Sequence, residues 1–259
     1  MVEEELPGRL VRLWRLRSEP RLGRPAELDV ERIVRTAVDL ADRDGLAGAT
    51  LPKIARELGV TTMALYRHVG SKDELVVLMS DYAYGQPPTL HVDDGRWREG
   101  LRQWASAMAV VLRRHPWLAY VPISNPPSGP HAIAWMDAGL TALRETGLDW
   151  LEKVGILSLL GGYVRSAIQL SLDLASGRRE TGVDQAQVER DYARAMERLV
   201  DPERFPEAAR LFASSVFERQ PVGEPVEVAD REFEFGLNLI LDGVAAAIEA
   251  ARRRDTTDG

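Results

Sequence analysis

The chain has 259 residues, 45% of them hydrophobic, which is enough for one or two domains with a substantial core. It contains no cysteine, and this excludes disulfide frameworks, thiolate nucleophiles and cysteine-based zinc sites. The net charge of −7 is unevenly spread: residues 1–85 carry 13 Lys+Arg against 14 Asp+Glu, and the remainder carries 20 against 26. An acidic body with a balanced first third is compatible with a nucleic-acid partner.

At the N-terminus, Glu3, Glu4 and Glu5 are the wrong charge for a secretory signal. The longest apolar run, Val154–Val164, has 11 residues between Lys153 and Arg165, short of the roughly 18 that span a bilayer. A cytoplasmic protein is expected. Residues 9–24 hold six arginines (Arg9, Arg12, Arg15, Arg17, Arg21, Arg24) and one acid, Glu19. Such a segment is either a basic arm for an adjacent minor groove, a flexible extension, or a short helix that lays Trp14 on the body.

Apolar residues recur at three- and four-residue spacing along the chain, without strand alternation, which predicts an all-α fold. Ile33, Ala37, Leu40 and Ala41 form the stripe of a helix capped by Asp29 and stopped at Gly45. Short helices are predicted over 51–58 and 62–68. A further one starts at Ser71-Lys72-Asp73-Glu74, a capping box, with Leu75, Leu78, Met79 and Tyr82 inside. Gly85-Gln86-Pro87-Pro88 breaks the pattern and marks a domain boundary. The organisation is thus a basic extension over 1–28, a compact domain over 29–85 and a second helical domain over 86–259. In that second domain helices are predicted near 96–114, 131–146, 149–176, 184–200, 203–218 and 230–254. Val121–Pro130 with four prolines and Ser176–Asp184 with two glycines are expected to be mobile connections.

Residues 50–69 have the pattern of a helix-turn-helix. Thr50 caps the first helix, and Pro52 is tolerated in its first turn. Ile54, Leu58 and Leu65 point inward, Ala55 permits a close crossing, and Gly59 permits a left-handed turn. Thr61 caps the second helix, whose outer face carries Thr62, Met63, Ala64, Tyr66 and Arg67. In the major groove, Thr62 is suited to a base or phosphate, and Met63 and Ala64 to thymine methyls. Tyr66 and His68 suit phosphates, and Lys72 stands where a helix N-terminus already favours an anion. The competing reading makes Tyr66 a core aromatic and His68 an ordinary surface residue.

With its neighbours the stretch resembles the DNA-binding domain of the tetracycline-repressor (TetR/AcrR) family. The resemblance rests on Ile33-Val34 with Ala37, Asp44-Gly45-Leu46, Ile54-Ala55 with Leu58-Gly59-Val60, Ala64-Leu65-Tyr66 with His68-Val69, and Lys72 with Leu75. It implies DNA contacts from Thr62, Met63, Ala64, Tyr66, Arg67, His68 and Lys72, with Leu51-Pro52 a departure where relatives often have polar residues. It also implies a homodimer, an operator of double-stranded DNA and a small-molecule effector. The resemblance is weaker over 96–175. The family's metal-binding histidine has no counterpart in Val121-Pro122-Ile123, which argues against a magnesium–tetracycline ligand.

Two helices carry small residues that allow close packing between chains: Gly155, Ser158, Gly161, Gly162, Ser166 and Ala167 in one, Gly236, Gly243 and Ala245–Ala247 in the other. The alternative is packing within one chain. Large polarisable residues of the middle helices suggest a ligand chamber: Trp97, Trp104, Met108, Trp117, Trp135, Met136, Tyr163 and Phe212. Gln103, His131, Arg165, Gln169 and Asn238 are possible polar anchors. Trp104, Met108, Trp117, Trp135, Tyr163 and Gln169 are the expected ligand contacts, although any single aromatic on a helix is more often core than pocket. The four histidines (His68, His91, His115, His131) are not spaced as metal ligands, and no cofactor is expected. No catalytic or phosphate-binding motif appears, so the expectation is a non-enzymatic repressor. A ligand-independent helical DNA-binding or scaffold protein is the alternative, with an enzyme a distant third.

Overall fold

The computed structural model describes residues 7–15, 29–90, 96–123, 126–181, 185–217 and 225–257. Among them there is no strand, as the spacing predicts. The chain divides into two compact units, Met1–Gln169 with Leu239–Gly259, and Leu170–Asn238.

The first unit begins with α1 (Gly8–Leu13), whose Leu13 is buried. Trp14 donates from Nε1 to the Ser128 carbonyl at 2.7 Å, Arg12 pairs with Glu74, and Arg15 pairs with Glu31 at 2.8 Å. Of the three readings of the arginine-rich segment, residues 7–15 take the one that lays Trp14 on the body. Arg17, Arg21 and Arg24 lie outside the described residues, as does His91.

Helix α2 (Val30–Asp44) is capped by Asp29, which accepts from the Arg32 amide at 2.7 Å. It buries Ile33, Val34, Ala37, Val38, Leu40 and Ala41, and ends at Gly45 with φ +72°. Against it pack α3 (Leu51–Leu58), α4 (Thr62–Val69) and α5 (Lys72–Tyr84). Inside α5, Leu75, Leu78 and Met79 are buried as expected, but Tyr82 is half-buried and Asp81 takes an inward place.

Helices α6 (Trp97–Arg114) and α7 (Pro130–Ala142) pack on each other and on α5. The sequence predicts α7 as far as 146. It stops earlier because Thr146 turns its hydroxyl onto the Leu143 carbonyl at 2.8 Å and Gly147 takes φ +73°. Helix α8 (Trp150–Thr181) opens with a reciprocal cap: the Glu152 amide donates to Asp149 at 2.8 Å, and the Asp149 amide to Glu152 at 2.9 Å. It continues to Thr181, into the segment expected to be a mobile connection, of which residues 182–184 lie outside the described residues. Gly177 alone costs a helix only about 1 kcal/mol, and Arg178, Arg179 and Glu180 are good helix formers.

The second unit contains α9 (Gln185–Leu199) and α10 (Pro206–Phe212), joined by an edge contact between Tyr192 and Phe212 with ring centroids 5.7 Å apart. The helix predicted over 203–218 is shorter than expected. Pro206 fixes its start, and the Ser214 hydroxyl donates to the Leu211 carbonyl at 2.6 Å just past its end. The last helix, α11 (Pro225–Thr257), contributes residues to both units, as α8 does. No helix among the described residues is long and apolar enough to cross a membrane.

Candidate DNA-binding face and effector cavity

The turn between α3 and α4 is built from three local devices. The Thr50 hydroxyl accepts from the Lys53 amide at 3.4 Å, and Thr61 accepts from the Ala64 amide at 3.3 Å. Between them Gly59 adopts φ +69°, ψ +30°, which lets the Val60 amide close onto the Ala55 carbonyl at 2.9 Å. Ile54, Leu65 and Val69 have no exposed surface, so one side of α4 is fixed to the core.

The opposite side is open. Met63 is 68% and Tyr66 41% exposed, and Arg67 is exposed, while Thr62, Ala64 and His68 are half-buried. Tyr66 is therefore a surface aromatic, not a core one. Lys72 is exposed at the start of α5, where the Ser71 hydroxyl accepts from the Glu74 amide at 3.0 Å.

The charges near this face are unequally neutralised. Arg43 meets Asp44 at 3.2 Å and Glu57 at 3.5 Å, and Lys53 meets Asp44 at 3.5 Å. The hydrogen bond from Arg43 holds the Asp44 carboxyl below its usual range. By contrast, no carboxylate among the described residues pairs with Arg67 or Lys72. Two cations thus remain free on and beside the exposed helix, as phosphate contacts require.

Behind this face two aspartates of the helix-turn-helix region grip the helices that follow it. From α2, Asp42 receives the Trp117 indole Nε1 at 2.7 Å, with the Nδ1 of His115 at 2.8 Å. From α5, Asp81 accepts from the Ala132 amide at 3.0 Å and the His131 amide at 3.4 Å, with Nδ1 of His131 at 3.1 Å. Asp81 therefore caps α7 from another helix. A third link starts at the C-terminus of α5: the Trp135 indole donates to the Gly85 carbonyl at 3.0 Å, and the Trp104 indole donates to the Trp135 carbonyl at 2.8 Å. The sequence reading missed both aspartates. The signal was present, since Asp81 follows Leu78 by three and Asp42 follows Val38 by four, each continuing an apolar stripe with an acid.

A cavity of about 620 Å³ lies in the first unit where α5 passes the segment between α6 and α7. Val76, Val77, Ser80 and Tyr84 of α5 line it, together with Leu118, Pro122, Ile123, Pro126, Ala132 and Arg165. The expected ligand residues fall into different places. Trp104 and Trp135 are buried with ring centroids 5.9 Å apart, and Gly161 sets Trp104 and Met108 against α8. Trp117 is turned to Asp42 instead. Tyr163 and Gln169 are half-buried on α8. Phe212 belongs to the second unit. The described lining of the cavity comes from other residues: Arg165 is one of the expected polar anchors, the prolines belong to the segment expected as a connection, and Tyr84 carries no expectation from the sequence.

Comparison with known proteins gives family matches over two segments of the chain. Residues 33–79 match the model of bacterial regulatory proteins of the tetR family, and residues 90–248 match that of the tetracyclin repressor-like C-terminal domain. The chain is 35% identical over 245 residues to the HTH-type transcriptional repressor DrrR1 of Streptomyces coeruleorubidus, covering 93% of this chain and 86% of the relative. It is 26% identical to the tetracycline repressor class A of transposon 1721 from Escherichia coli, over 85% of this chain and 91% of that protein. The solved structure of ActR from Streptomyces coelicolor in complex with actinorhodin is similar with a TM-score of 0.69 and 26% identity. The match covers 85% of this chain and 98% of ActR.

Proposed function

Because the chain belongs to the tetracycline-repressor family of bacterial regulators, we propose that it is a homodimeric repressor. It holds a pseudo-palindromic operator through two copies of α4 and is released by a small apolar or aromatic effector. Residues 29–85 serve as the DNA-binding domain, and 86–259 as the effector and dimerisation domain. The observation that carries this reading is α4 itself: Leu65 and Val69 anchor one side, while Met63, Tyr66 and Arg67 are presented to solvent. Thr62, Met63 and Ala64 stand at its N-terminal end, the end that reaches base edges in a major groove. Tyr66, Arg67, His68 and Lys72 serve the phosphates, with Thr50 and Thr61 fixing the two helices that present them.

Pairing is supported by α8 and α11. Along α8, Leu151, Gly155, Ser158, Leu159 and Gly162 are exposed at three- and four-residue spacing, and along α11 Leu239, Gly243 and Ala246 are exposed in the same way. A second copy covers these stripes and sets the two α4 helices about 34 Å apart, one turn of DNA. Effector release is supported by the relatives: ActR is seen with actinorhodin and with (S)-DNPA. An effector that prefers the other dimer state weakens operator binding by its differential affinity, typically about 1–3 kcal/mol.

Selection of bound duplexes from a random library tests the reading. The expected product is an inverted repeat whose half-sites lie about one helical turn apart, bound by the dimer. Recovery of no preferred sequence, or of a site bound equally well by a protein with Thr62→Ala and Tyr66→Ala, would overturn it.

A further inference from the structure

The cavity beside α5 is mostly apolar, and its charged lining consists of Asp73, Glu74 and Asp81 with Arg9 and Arg165. Two of its acids are already used: Glu74 pairs with Arg12, and Asp81 is spent on the α7 amides and His131. Asp73 lies exposed in the first turn of α5, where a helix N-terminus already favours a negative charge. Arg165 is different. It reaches the lining from α8 half-buried, donates to the Val121 carbonyl, and has no carboxylate partner among the described residues. A guanidinium carries five N–H donors, so most of its capacity is unspent. The Tyr84 phenol lines the same cavity, and its burial pushes its pKa up. That hydroxyl therefore stays protonated and able to donate. A guanidinium and a phenol on one apolar lining form a receptor for a single anionic oxygen group, and apolar surroundings strengthen such charge-assisted bonds.

We propose that this cavity is the effector site, and that the effector is a flat, largely apolar organic acid whose carboxylate is held by Arg165 and Tyr84. The proposal rests on the reading of the chain as an effector-released repressor and specifies its ligand class. The volume of about 620 Å³ suits a small multi-ring molecule, since ligand pockets commonly span roughly 300–1,000 Å³. The position explains how such a ligand acts on DNA. Val76, Val77 and Tyr84 belong to α5, which follows the recognition helix directly, so a molecule seated against them bears on the orientation of α4.

The test uses the full-length protein, its selected operator, and a panel of planar one- to four-ring aromatic carboxylic acids with their matched carboxamides. Binding is followed by calorimetry and operator release by fluorescence anisotropy. At least one acid is expected to bind about tenfold or more tightly than its carboxamide, the usual range for a hydrogen-bonded charge. Arg165→Met should abolish that preference while leaving operator affinity in place. Arg165→Lys should keep part of it, and Tyr84→Phe should weaken the acid more than the amide. The proposal fails if no acid is preferred over its amide, or if the preference survives Arg165→Met. Carboxamides that release the operator as well as the acids do would leave the repressor reading intact and refute only the acid site. A wild-type protein without a selectable operator would refute the repressor reading itself.

Discussion

Gly59 and Thr62 sit three residues apart and do separate work, which makes their substitutions separable. Gly59 holds φ +69° with nothing within 4 Å of the position a Cβ would take, so any cost of a side chain there comes from the backbone alone. Gly59→Ala is expected to lower unfolding free energy by about 1–2 kcal/mol, measurable by denaturant titration, with Gly59→Asn losing less because asparagine tolerates the left-handed region. Thr62 carries no comparable structural duty. Its replacement by valine should leave stability unchanged and alter which base pairs are preferred in a selection experiment. Tyr66→Ala and His68→Ala should instead weaken binding to all sequences together. Arg67→Ala should also lower the slope of log affinity against log salt by about one. A stability loss from Thr62→Val, or a base-preference change from Tyr66→Ala, would contradict the assignment of roles.

Among elements, the joint between α5 and α7 depends on one carboxylate. A Cβ on Gly129 would fall 2.0 Å from Oδ1 of Asp81, so Gly129→Ala must displace the group that caps α7. Asp81→Ala removes the same cap, at a typical cost of about 1–2 kcal/mol. Because both changes break one interaction, the double variant should be scarcely less stable than Asp81→Ala; additive losses would show that Gly129 acts elsewhere. A second carboxylate ties α8 to α11. Arg254 donates to Glu152 at 2.6 Å, and this bond, more than the Asp149 amide, holds the Glu152 carboxyl below its ordinary value of 4.5. A depressed folded value means stability that is present above the ordinary range and is lost as pH falls through the lower folded value. Glu152→Gln should therefore flatten the acid limb of a stability–pH profile and leave its slope near neutrality unchanged. These joints explain the limits of what could be read from the chain alone. Caps, turns and stripes are local, so Asp29, Thr50, Thr61, Ser71 and Gly59 announce themselves by residue type and spacing. Asp42 and Asp81 act on amides and indoles more than fifty positions away in most cases, and no local pattern states the partner. The indoles show the same limit: Trp104 and Trp117 are equally apolar on paper, but one is packed on Trp135 and the other is bonded to an aspartate.

For the molecule as a whole, the exposed stripes on α8 and α11 must be accounted for. Leu159 is 59% and Leu239 58% exposed, and extra Cβ atoms on Gly155, Gly162 and Gly243 would meet nothing within 4 Å. Glycine in a helix interior costs about 1 kcal/mol relative to alanine, an expense without return on a surface that only faces water. It is sensible where another helix must come close. Burial of these leucines against a second copy also recovers hydrophobic free energy of about 25 cal/mol for each Å² removed from water. Leu159→Glu inserts a charge into that contact without touching the core of the first unit. The expected variant sediments as a single chain, keeps its helical circular dichroism, and binds operator at least about a hundredfold more weakly, because two linked half-sites become one. Gly162→Leu should act in the same direction through bulk alone. A Leu159→Glu protein that still sediments as a dimer and still holds its operator would place the pairing surface elsewhere on the chain.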